Sequence, residues 1–154
     1  MAPAEEDGLR ATLGEAHRRY SRYIHFREGR RGHLWQERFH SFVMDESYLL
    51  SAVRYVERNP TAANLCDHPK EWEWSSARAD LMGKDDKLVR VKPMLERIDD
   101  WEAYLSNIDI GGNTNMIKKH TRTGVPLGSV EFIQKLEAMT GLDLSVKAPE
   151  RKSI

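Results

Sequence analysis

Cysteine is almost missing from the 154-residue chain: Cys66 stands alone. One thiol excludes an internal disulfide framework and a zinc site built on cysteines. Long apolar runs are missing too. No stretch approaches the ~20 residues that span a bilayer, and residues 1–16 are acidic without an apolar secretory core. The expectation is a cytoplasmic protein with no membrane association. Net charge is also absent, with 24 Lys+Arg against 24 Asp+Glu. Gly29-Arg30-Arg31-Gly32 lacks the spacing of a phosphate-cradling glycine loop, and no GxSxG or Cys/His nucleophile pattern occurs. The six histidines include no pair at helical or strand-alternating spacing, the usual arrangement for metal ligands.

What is present is a globular composition, 40% hydrophobic and 31% charged, with four Trp. Such a chain has the apolar material for a core, at a length that suits typical domains of ~100–150 residues. The zero net charge hides a strong asymmetry. Residues 17–40 hold seven Arg against two acids, net +5, and residues 41–110 hold nine bases against fourteen acids, net −5. Residues 111–154 hold seven bases against four acids, net +3. All bases of the first block are arginines, interleaved with His, Tyr and Trp. Arginine pairs bidentately with phosphate and stacks on bases, so Arg18, Arg19, Arg22, Arg30, Arg31 and Arg38 are candidate DNA contacts. His33, Trp35 and Gln36 complete a polar, aromatic surface of the kind that binds single strands. The same residues also suit ordinary turn chemistry.

Apolar periodicity predicts a helix over 7–27, capped by Asp7, with Leu9, Leu13, Ala16, Tyr20, Tyr23 and Ile24 on one stripe. Gly29 and Gly32 flank a turn. A strand is expected in about 37–43. Asp45 starts a second helix that Asn59-Pro60 ends, since the residue before proline is pushed out of the α region. Short helices are expected around 61–66, 75–82, 93–97 and 99–106, the last with Trp101 and Leu105 facing a core. Trp72 and Trp74, two apart, would lie on one side of an extended segment and cover apolar surface. Gly111-Gly112-Asn113 marks a linker, followed by helices at about 113–121 and 129–140 and a basic tail from Lys147.

Tyr55 is the sharpest chemical candidate. A tyrosyl oxygen can attack a phosphodiester and form a covalent link, with a divalent metal polarising the phosphate. Asn59 lies one helical turn on and offers a carbonyl oxygen to such a metal. A half-buried aromatic on a core-facing helix explains Tyr55 as well.

Three blocks together resemble the REP-associated tyrosine transposases, relatives of the single-tyrosine HUH insertion-sequence enzymes. They are Gly32-His33-Leu34-Trp35-Gln36-Glu37-Arg38-Phe39, Arg54-Tyr55-Val56-Glu57-Arg58-Asn59-Pro60 and Trp74-Ser75-Ser76-Ala77-Arg78-Ala79. A fourth, Arg122-Thr123-Gly124-Val125-Pro126-Leu127-Gly128-Ser129, follows in order, so the resemblance covers about residues 8–140. It implies metal-dependent cleavage and strand transfer of single-stranded or hairpin DNA through a 5′-phosphotyrosine link. By resemblance, Tyr55 is the nucleophile and Asn59 a metal ligand, with Mg²⁺ or Mn²⁺ as cofactor and a homodimer as an assembly seen among relatives. The resemblance also implies an α+β, helix-rich fold: a partial ferredoxin-like HUH domain over 1–110 and a helical C-terminal extension over 111–154.

Two departures stand out. Glu37 occupies a usual Gly position, and no His-x-His occurs anywhere. In the family that pair lies on a strand before the first helix. The expectation is therefore an N-terminally truncated transposase, or one whose start codon is misassigned with the missing strands encoded upstream, with an incomplete metal site and impaired cleavage in this chain. A non-catalytic DNA-binding remnant and an inactive helical fragment are the alternatives.

Overall fold

The computed structural model describes residues 7–35, 39, 41, 43–107, 115–118, 120 and 124–144. The chain forms two compact units, Met1–Ser41 and Phe42–Ile154. The expected boundary at 110–111, the linker at 111–113 and the basic tail from 147 lie outside the described residues.

The first unit is built on helix α1, Gly8–Glu28. Asp7 precedes it, as expected, but makes no side-chain capping bond. Its carboxylate is held instead by Arg10, three residues on, with both bonds at 3.0 Å. The helix ends where Gly29 turns left-handed at φ 60° and returns its N–H to the His25 carbonyl. Glycine enters that conformation without a Cβ clash. No residue of α1 is buried, so its apolar stripe does not build a core within this unit. What it gains is Trp35, discussed below.

The second unit starts with helix α2, Glu46–Ala62. Asp45 caps it: one oxygen accepts from the Tyr48 N–H at 3.0 Å, the other from the Ser129 N–H at 2.8 Å. Pro60 does not end the helix, which runs on through Thr61 and Ala62. Proline removes one backbone donor, and this close to the C-terminus few bonds are at stake. The Thr61 hydroxyl donates to the Arg58 carbonyl at 2.7 Å, and the Pro60 ring is buried. The separate helix expected at 61–66 is therefore the end of α2 and a turn.

A 3-10 turn at Pro69–Glu71 leads to α3 (Ala77–Met82), α4 (Lys92–Leu95) and α5 (Trp101–Ser106). Residues 115–118 and 120 are helical, and α6 spans Val130–Thr140. Among the described residues Ala77, Ala79, Val91, Trp101, Leu105, Ile117 and Leu127 are buried, together with the polar side chains of Ser51, Glu57, Asp80 and His120. Trp101 and Leu105 face the core as their spacing predicts.

The chain is thus helix-rich. The α+β, ferredoxin-like part of the expectation does not appear among the described residues. Phe39, Ser41 and Val43 of the expected 37–43 strand carry no strand structure. The β pairing described there is an isolated parallel bridge between Met44 and Leu127. Past the bridge, Asp45 and Ser129 turn their segments directly into α2 and α6. No described helix is long and apolar enough to cross a membrane.

Candidate nucleic-acid interface

In the first unit the loop after α1 folds back on the helix. Gly29 and Gly32, the latter at φ 116°, make the reversal. The Trp35 indole stacks on His17 with ring centroids 4.2 Å apart and planes 19° from parallel. Tyr20 lies tilted at 5.7 Å, and the indole N–H donates to the Ser21 hydroxyl at 2.9 Å. Trp35 still keeps 41% of its surface exposed. Its N–H is satisfied locally, so the free part of the ring is an apolar face available for stacking.

The arginines around this face divide into two groups. Arg18 and Arg19 both bind Glu15 at 2.7 Å. The hydrogen bonds from Arg18 and then Arg19 hold the Glu15 carboxyl down to about 2. These two guanidiniums are engaged within the helix. Arg22, Arg30 and Arg31 are exposed and their side chains have no ion pair or hydrogen bond among the described residues. His33 is exposed. Gln36 and Arg38 lie outside the described residues. Sequence spacing could not give the His17–Trp35 stack, since the partners are far apart along the chain. The two glycines were its only signal.

In the second unit Tyr55 and Asn59 sit one turn apart on α2, with Tyr55 half-buried and Asn59 exposed. The Lys118 ammonium lies 6.0 Å from the Tyr55 ring centre. The arginines flanking Tyr55 are used in packing: Arg54 stacks over Tyr104 at 5.0 Å, and Arg58 donates to the Asn107 carbonyl at 2.9 Å. Asn59 opens onto a groove of about 400 Å³ with Val56, Leu65, Trp72 and Trp74, which Tyr55 does not line. Trp74 is 81% exposed rather than packed, so only Trp72 follows the expectation of a covering role.

Among the described residues no three His, Cys, Asp or Glu side chains converge on a possible metal position. Asn59 alone offers one neutral oxygen. Hard cations such as Mg²⁺ take several oxygen donors, usually with carboxylates. The described residues around Tyr55 do not fit Mg²⁺ or Mn²⁺, and no metal-assisted step is derived from them. No family model, curated protein or solved structure matches the chain.

Proposed function

We propose that the chain is a DNA-binding protein of the REP-associated tyrosine transposase type, taking single-stranded or hairpin DNA. The observation that supports this reading is that the unengaged, exposed Arg22, Arg30 and Arg31 share one unit with the exposed, stacked Trp35. Cations that track a backbone beside an aromatic that accepts a base are the minimal requirements of single-strand binding. The reading draws nothing from a ferredoxin-like sheet. The test is fluorescence anisotropy with a hairpin and an unpaired oligonucleotide across a salt series. Each phosphate contact on a single strand adds about 0.7 to the log–log salt slope, so the Arg22→Ala/Arg30→Ala/Arg31→Ala variant loses about 2. A salt-independent response, or an unchanged slope in the triple variant, overturns it.

A second reading adds strand cleavage at Tyr55. The half-buried phenol beside the Lys118 ammonium favours it. The tyrosyl oxygen would bond to phosphorus while the bond from phosphorus to the 3′ oxygen breaks, and that oxygen would leave with a proton as a free hydroxyl. A cation near the attacked phosphate offsets its charge. Trapping of a covalent adduct that Tyr55→Phe abolishes tests this step.

A further inference from the structure

Two depressions of the second unit adjoin. One, of about 310 Å³, has Arg58, Thr61 and Ser106 on its walls. The other, of about 410 Å³, has Lys70, Arg78 and Met82. His68, Leu81 and Glu102 line both, so they form one open cleft among the 3-10 turn, α3 and α5.

The cations of this cleft are not ordinary solvated helix charges. Arg78 has Trp74, Ser75, Leu81 and Met82 at its three- and four-residue spacings, so no acid of its own helix can pair with it. Beside Lys70, the Glu71 carboxylate is already committed, accepting from the backbone N–H groups of Asp67 at 3.2 Å and His68 at 3.1 Å. Neither the Lys70 ammonium nor the Arg78 guanidinium has a hydrogen bond or ion pair among the described residues.

His68, on the wall of the same depression, is held in one orientation. Its Nδ1 accepts from the Lys70 backbone N–H at 3.3 Å, which places the proton of the neutral ring on Nε2. That nitrogen lies 3.9 Å from Glu102 Oε1, too far for a hydrogen bond. The Glu102 side chain is 73% exposed and free to turn toward water. The tryptophan groove on the other side of α2 has no cation on its walls, so the two depressions differ in the class of ligand they suit.

We infer that this cleft binds a phosphate group, held by Lys70, Arg78 and the Nε2–H of His68. The two charges supply charge-assisted bonds, and Arg78 supplies the planar fork that matches phosphate oxygens. The phosphate is either a free or terminal monoester or an internal diester of a nucleic-acid strand. The site does not depend on Arg22, Arg30 and Arg31, and it stands or falls apart from the proposed DNA surface of the first unit.

The experiment is an NMR titration of the isotope-labelled full chain. The probes are inorganic phosphate, 5′-phosphorylated pentathymidylate and the same oligonucleotide without the terminal phosphate. The His68 ring and Arg78 Nε–Hε signals are followed. They shift saturably in the wild type and in a charge-matched Lys84→Ala/Lys87→Ala control. In Lys70→Ala/Arg78→Ala the affinity falls at least about tenfold. Both side chains are exposed without partners, so folding survives their removal. Preference for the first two probes identifies a monoester, and equal response to the two oligonucleotides, stronger than to inorganic phosphate, identifies a diester. The Arg22→Ala/Arg30→Ala/Arg31→Ala variant keeps the shifts, which separates this site from the α1 surface. Silence of both signals with every probe overturns the inference, as does equal weakening in the control.

Discussion

Trp101 donates its indole N–H to the Glu57 carboxylate at 2.9 Å in the middle of the second unit, where Glu57 is fully buried. The other Glu57 oxygen accepts from the Ser76 hydroxyl at 2.5 Å. One acid on α2 thereby ties the start of α3 to the start of α5. Ser76 has helical backbone angles rather than the extended ones of a capping residue and makes no capping bond to α3; Ser75 accepts from the Ala77 N–H instead. Glu57→Ala leaves an indole N–H and a hydroxyl unpaired. A loss of about 3 kcal/mol is expected. Glu57→Gln retains one acceptor and loses less. Urea midpoints of the three proteins check this, and equal midpoints for wild type and Glu57→Ala would remove the tie from the account.

Asp80 sits against this group, 3% exposed, with Oδ1 lacking a partner among the described residues. Burial first, then the hydrogen bond and charge of Glu57, then the charge of Asp86, push its carboxyl up to about 7 from 3.8. The folded state therefore binds more protons than the unfolded state between those values, and stability falls as pH rises through the interval. The stability is fully present below about 4 and lost above about 7. Asp45, Asp86 and Glu131 are held below their ordinary values, so they act in the opposite sense and at lower pH. Asp80→Asn should flatten the decline between pH 5 and 8. Urea unfolding of both proteins across that range measures the difference, and parallel profiles would count against a protonated Asp80.

Asp45 joins α2 to α6. Burial raises its carboxyl, but the N–H groups of Tyr48 and Ser129 and the Ser47 hydroxyl outweigh that and lower it. Its own N–H donates to the Leu127 carbonyl at 3.0 Å. Asp45→Ala should cost about 1–2 kcal/mol by loss of the cap, and Asp45→Asn less, since its one oxygen keeps a single N–H while its amide group faces the other. Thermal melts monitored by circular dichroism distinguish the two. Equal losses would show that charge rather than capping matters here.

The helices that could be read from the chain are those whose ends carry local chemistry. Asp45, Asp100 and Ser129 each accept a backbone N–H in the first turn of the helix they precede, and residue type alone marks such positions. The errors lie where a distant partner decides. The apolar run before Asp45 has strand composition, yet among the described residues its β pairing is the isolated bridge of Met44 to Leu127. Pro60 stays helical because its ring is buried and Thr61 covers the Arg58 carbonyl. For the site, exposure of Arg22 follows from its place off the apolar stripe of α1, and that of Arg30 and Arg31 from their place in the turn between Gly29 and Gly32. Engagement of Arg18 and Arg19 by Glu15 was also within reach, at three- and four-residue spacing. The phosphate cleft was out of reach, since His68, Arg78 and Glu102 come from three separate elements.

Gly128 tests how closely α6 is seated. A Cβ built there would fall on the Phe132 ring, four residues on. Gly128→Ala forces the ring out of its rotamer or shifts the start of α6, at about 1–3 kcal/mol for overpacking. The Phe132→Leu background removes the obstacle, so the alanine should cost much less there. A double-mutant cycle of chemical unfolding reads the coupling. Additive losses would show that the alanine acts through backbone preference alone.

Tyr55→Phe separates binding from cleavage. The hydroxyl is the only group removed, and the ring keeps its half-buried place on α2 with Lys118 above it. Stability should change by less than about 1 kcal/mol. Anisotropy with hairpin DNA should be unaltered, because the arginines assigned to binding lie on α1 and in the turn that follows it. Any covalent adduct trapped with the wild type in Mg²⁺ or Mn²⁺ should vanish. An adduct from the wild type alone would mean that residues outside those described complete a metal site beside Asn59. Salt-sensitive binding without an adduct in either protein would leave DNA binding as the activity of the chain and Tyr55 as a packing residue of α2.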